Sequence, residues 1–125
     1  MPKVDIVYYT EDGIKAPVLN WIHHLNEKVK IKCTRAIMLL ALIGHDLRRP
    51  QADSLDRDIK ELRIVYNNNQ YRILYFFYRR KAVVLTGGFL KKGNRVPIRE
   101  IEKAVECKVK YEKNPKLHTY IEELE

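Results

Sequence analysis

Cysteine, tryptophan and long apolar runs are all scarce in this chain. Two cysteines, Cys33 and Cys107, are too few for a disulfide framework, and both sit in helical-looking apolar contexts. They are expected to be reduced and buried, as in a cytoplasmic protein. The best apolar run, residues 36–44, is about half of the roughly 20 residues a membrane span requires. No secretory leader is expected, because MPKVDIVYYTEDG carries acids where an apolar core belongs. Gly and Pro number five each, so neither a low-complexity tract nor a collagen-like repeat is present. The four histidines, His23, His24, His45 and His118, form no ligand spacing with the cysteines, and no metal site or cofactor is expected. Gly87-Gly88 lacks the spaced glycines of a nucleotide-binding fingerprint.

Acidic residues are also in deficit, and the deficit is local. The 125 residues hold 24 Lys plus Arg against 16 Asp plus Glu, a net charge of +8. Residues 60–95 contain nine of the basic residues and one acid, Glu61, so that stretch carries the whole surplus. The same stretch holds most of the tyrosines and phenylalanines. A local basic field attracts polyanions, and interleaved aromatics stack on unpaired bases. A basic face kept for solubility is the plainer alternative, but helices would carry such charge equally well.

The hydrophobic fraction of 46% suffices for one core in one domain. Residues 4–9 read as a strand. Pro17 opens a helix whose apolar face is Val18, Ile22, Leu25 and Val29. Cys33, Ala36, Ile37, Leu40 and Ile43 continue the spacing to a Gly44 C-cap. A tight helical hairpin broken near residues 28–32 is expected, with a single long kinked helix as the alternative. Residues 45–57 read as a polar connector. Period-two segments follow at 59–66, 71–78 and 82–89, an antiparallel meander. Gly87-Gly88 marks a bulge or a close approach. Pro97 opens a last helix with Ile98, Ile101, Val105 and Val109 on one face, and residues 117–125 are an acidic tail, helical or loose. The expected architecture is an α+β fold: a small antiparallel sheet, helices on one face, and the first strand beside one distant in sequence.

The chemistry left is Arg, Lys and Tyr on strands. Such a set suffices for metal-independent RNA cleavage, in which the ribose 2′-hydroxyl attacks its own phosphate and the protein orients it and stabilises charge. It suffices equally for binding alone. Glu61 is a general base or, more simply, an ion-pair partner. Arg72 in an apolar strand binds phosphate or pairs with Glu61. Strict alternation puts Tyr75 on the face opposite Arg72.

An ordered series resembles a known family. Leu55-x-x-x-Ile59-x-Glu61-Leu62-Arg63, Tyr71-Arg72-x-x-Tyr75, Gly88-Phe89-x-Lys91-Lys92 and Pro97-x-x-Glu100-Ile101-x-x-Ala104 look like the phage-derived HigB-like branch of the RelE/ParE toxin superfamily. Trp21-Ile22-x-x-Leu25 and Gly44-x-x-Leu47-x-x-Pro50 also fit. The resemblance implies a RelE-like fold and the toxin half of a type II toxin–antitoxin pair. It also implies cleavage of mRNA in the ribosomal A site and a small helix-turn-helix antitoxin as partner. By the match, Arg63 and Arg72 contact phosphate and Lys91 and Lys92 form a basic pair, together the catalytic set. Lys60, Tyr75, Arg79, Arg80, Lys81, Phe89 and Arg95 are expected to touch RNA. Glu61 stands where RelE proper has lysine, and no late tyrosine matches the one that stacks on substrate there. A non-catalytic basic binding module, or a toxin of the same fold directed at gyrase, are the competing readings.

Overall fold

The computed structural model describes residues 2–122; the last acidic residues of the tail, 123–125, lie outside them. A five-stranded sheet forms the centre, in the order β1-β5-β4-β3-β2. The strands are β1 (Asp5–Tyr8), β2 (Ala52–Ser54), β3 (Lys60–Tyr66), β4 (Asn69–Tyr78) and β5 (Ala82–Lys91). β1 lies parallel to β5, and all other pairs are antiparallel. Helices α1 (Pro17–His23), α2 (Glu27–Ile43), α3 (Ile98–Lys113) and the single turn α4 (Pro115–His118) complete an α+β arrangement consistent with a small RelE-like fold. No helix among the described residues is long and apolar enough to cross a membrane.

The helices cover both faces of the sheet, not one. Alternation along the strands divides the apolar residues into two clusters. Leu62, Ile64, Tyr71, Ile73, Tyr75, Val83 and Leu85 pack with Val18, Val29, Cys33, Ile37 and Leu40 of α1 and α2. Ile59, Leu74, Phe76 and Val84 pack with Ala104 and Tyr111 of α3. The buried apolar residues of the meander thus divide between the two helical layers, while Val65 and Leu90 stay exposed. Burying both faces is what a run such as Tyr-Arg-Ile-Leu-Tyr-Phe-Phe-Tyr requires.

Three further departures have local causes. The helical hairpin breaks at residues 24–26, before the expected position, because the Asn26 side chain accepts from Val29 N at 3.0 Å and caps α2. The connector contains β2, a three-residue edge strand paired to β3. In α3, Ile98 and Val109 are exposed, and the packed side is Ala104 and Tyr111. Gly44 ends α2 at φ +67, as a C-cap glycine does.

The bulge falls at Thr86, since Leu74 pairs with Gly87 and Tyr75 with Leu85. Thr86 Oγ1 donates to Leu74 O at 3.2 Å. Beside it, a Cβ on Gly88 would land on the Trp21 indole, whereas one on Gly87 would meet nothing. The double glycine therefore serves a side chain of α1. After α4, Thr119 bridges Tyr9, and buried His118 stacks on the Tyr9 ring with Nδ1 2.8 Å from Thr10 O.

Candidate nucleic-acid interface

Four of the nine expected basic residues converge, and they do so on the α3 face. β3 and β4 pair Arg63 with Arg72, and β4 and β5 pair Arg72 with Phe89 and Gln70 with Lys91. These side chains therefore stand in adjoining rows at one end of the sheet. The segment between β5 and α3 folds back over that end. Arg63, Arg72, Lys91 and Arg95 then line one groove of about 410 Å³, with Glu61, Asp56 and Asn94. Exposed Ile98 and half-buried Ile101 of α3 form its apolar side. Four cations face two carboxylates there, so an anion is favoured.

The cations differ in freedom. Arg72 is 4% exposed, and its Nε donates to Glu61 Oε1 at 2.7 Å. Its Nη1 donates to Gln70 Oε1 and to Tyr71 O. The pairing with Glu61 that the sequence left open is thus made. Glu61 Oε2 accepts from Arg63 Nη2 at 3.1 Å, and Asp53 accepts from the same nitrogen at 3.3 Å. Arg63 is half-buried, with one edge held by these carboxylates. Asp53 is itself hydrogen-bonded by Arg49, which holds its carboxyl below the usual carboxylate range. Lys91 is half-buried and Arg95 exposed. Neither makes an ion pair among the described residues.

Other expected residues lie elsewhere. Lys92, just beyond β5, is exposed but does not line the groove. Tyr75 is 1% exposed within the α1/α2 layer, and burial pushes its phenol up. It has no ring face to offer a base. Lys60 bonds Ser54 Oγ at 2.7 Å and lines a separate hollow with Tyr75 and His45. Phe89 packs in the α3 layer and borders a cavity of about 360 Å³ on the other side of that helix. Arg79, Arg80 and Lys81 occupy the far end of the sheet.

Two polar groove residues were not singled out in the sequence. Asp56 is brought in by the β2–β3 turn and Asn94 by the loop before α3. Asp56 sits in an acidic-basic alternation that gives no local signal. Asn94 follows Gly93 in what reads as an ordinary turn.

The family model described as phage-derived protein Gp49-like (DUF891) matches residues 20–108, from α1 to most of α3. The chain belongs to the Gp49-like phage-derived family. That family is toxin-like, compatible with the toxin of a toxin–antitoxin pair, and such a pairing suggests an antitoxin partner. The matched span of the Gp49-like chain includes every residue of the groove. No curated protein matches the chain.

Proposed function

We propose that this Gp49-like protein is the toxin of a type II toxin–antitoxin system and cleaves mRNA on the ribosome. The observation that carries the reading is the convergence of Arg63, Arg72, Lys91 and Arg95 on one groove. Arg95 and Lys91 hold the non-bridging oxygens of the scissile phosphate, and the free edge of Arg63 completes the set. Arg72 acts one step back: with Glu61 it fixes the position of Arg63 and adds positive potential without touching RNA. Ile98 gives a neighbouring base an apolar surface.

Cleavage needs no group beyond these. The 2′-oxygen attacks phosphorus, the bond to the 5′-oxygen breaks, and a 2′,3′-cyclic phosphate and a 5′-hydroxyl result. Asp56, the groove carboxylate paired with Arg57 at 3.1 Å rather than with Arg63 or Arg72, accepts the 2′-hydroxyl proton through its other oxygen. The Lys91 ammonium donates to the departing 5′-oxygen. Charge on the phosphorane falls among preorganised cations, where stabilisation is strongest. Lys92 and Phe89 lie outside this account.

One observation favours a non-catalytic binding module instead: Arg72 Nε and Nη1 are both taken up by protein acceptors. Primer extension on a translated message after induced expression separates the two. The nuclease reading expects new 5′ ends within the reading frame, lost in a folded Lys91→Ala/Arg95→Ala variant. Intact message with growth arrested would support the binder, and intact message with broken DNA the gyrase-directed toxin.

A further inference from the structure

The turns joining β2 to β3, β3 to β4 and β4 to β5 each contain two consecutive residues at positive φ, and they differ in sequence. Arg57-Asp58, Asn67-Asn68 and Arg79-Arg80 all have both central residues at positive φ, near 50° and then 64°. This left-handed conformation suits Gly, Asn and Asp, and it crowds the Cβ of any other residue. The first turn places Asp at its second position and the middle turn uses Asn twice. The third has two arginines and neither tolerated type.

The rest of the protein holds that turn in place. The His45 ring stacks on Phe77 with centroids 3.7 Å apart, and its Nε2 lies 3.3 Å from Arg80 O. Asp5 N of β1 donates to Lys81 O at 2.7 Å. Strained backbone survives where its surroundings impose it, and such places are enriched in functional contacts. A charge kept only for solubility needs no strained position, since exposed strand sites would carry it equally well.

We propose that the Arg79-Arg80 turn is a second RNA contact, gripping the phosphate backbone of folded RNA rather than the strand in the groove. Arg79, Arg80 and Lys81 are exposed and make no ion pair among the described residues. The Arg79 guanidinium lies over the Tyr78 ring, 5.2 Å from its centroid, which orients the planar fork while leaving its edge open. Arg72 and Tyr78, the residue before Arg79, are six residues apart on β4, roughly 20 Å. Adjacent phosphates of one short strand do not reach both ends. A folded RNA surrounding the message does, and here the inference rests on the ribosome-directed reading above.

The test is fluorescence anisotropy of the purified chain with an RNA stem-loop and with an unstructured oligonucleotide, across a salt series. Arg79→Asn/Arg80→Gly installs the residues that the turn prefers, so the melting temperature should rise. Stem-loop affinity should fall about tenfold, and the slope of log affinity against log salt should become shallower by roughly 1.5. Oligonucleotide binding should be unchanged. Arg79→Lys/Arg80→Lys, which keeps the charge, should restore most of the stem-loop affinity. Lys91→Ala/Arg95→Ala should do the reverse, weakening the oligonucleotide alone. Unchanged stem-loop affinity and salt slope in the stabilised variant would overturn the inference, as would loss of binding to an acidic peptide with RNA binding intact. If no RNA is ever cut but the stem-loop result holds, the nuclease reading falls and this contact stands.

Discussion

Glu61 accepts from Arg72 at 2.7 Å through one carboxylate oxygen and from Arg63 at 3.1 Å through the other. Glu61 and Arg72 are each 4% exposed. One buried carboxylate therefore orients two guanidiniums on neighbouring strands. They meet on a diagonal: Arg72 is directly opposite Arg63, and Glu61 directly opposite Leu74. A buried charge left without its partner is costly, while replacing a whole pair by apolar groups is often tolerated.

Glu61→Gln should therefore destabilise the protein by about 3–5 kcal/mol in urea denaturation. The Glu61→Gln/Arg72→Met variant should lose clearly less than the sum of the two single changes. Additivity within about 0.5 kcal/mol would mean that the two groups do not interact.

The two glycines of β5 should respond oppositely to the same change. Gly88→Ala places a methyl on the Trp21 indole and should cost roughly 1–3 kcal/mol by displacing it. Gly87→Ala meets no atom and should be close to neutral. Trp21→Ala should remove most of the penalty of Gly88→Ala. Equal effects at the two glycines in thermal denaturation would contradict this packing.

Stability should decline on the acid side through two carboxylates. Arg49 lowers the pKa of Asp53, and hydrogen bonds from Lys110 and Tyr9 lower that of Glu11. A group whose folded pKa is depressed contributes stability above its unfolded pKa, near 4, and loses it as pH falls further. Denaturation midpoints should thus be level from pH 7 to about 5 and drop below that. Asp53→Asn should be less stable at pH 7 and show a shallower decline. An unchanged acid limb in Asp53→Asn would exclude Asp53 as a contributor.

The meander was readable because period-two patterns and turn residues are local signals, and β1 does pair with a strand distant in sequence; its parallel direction, set by a long-range contact, was not readable. The broken helix was misplaced because apolar steps run on from Leu25 to Val29, and only the Asn26 cap marks the interruption. β2 was hidden by its three-residue length. That the helices cover both faces followed from residues such as Phe76 and Val84, whose burial on the second side an isolated strand pattern does not reveal.

At the site, the basic surplus of residues 60–95 announced an anion-binding face, and Arg63, Lys91 and Arg95 do gather there. Register decides the remainder. Tyr75 falls on the other face by strict alternation and is consumed by the core. Asp56 and Asn94 reach the groove only through the folding of two turns. The strain at Arg79 and Arg80 is a backbone property that no side-chain pattern displays.

The central claim is that the groove of Arg63, Lys91 and Arg95 holds a phosphodiester while it is broken. The direct measurement is the end chemistry of a message translated in a reconstituted system with purified protein. The account predicts fragments ending in a 2′,3′-cyclic phosphate and beginning with a 5′-hydroxyl, with both absent when a folded Lys91→Ala/Arg95→Ala variant is used. A message left whole, or cut equally well by that variant, would contradict it.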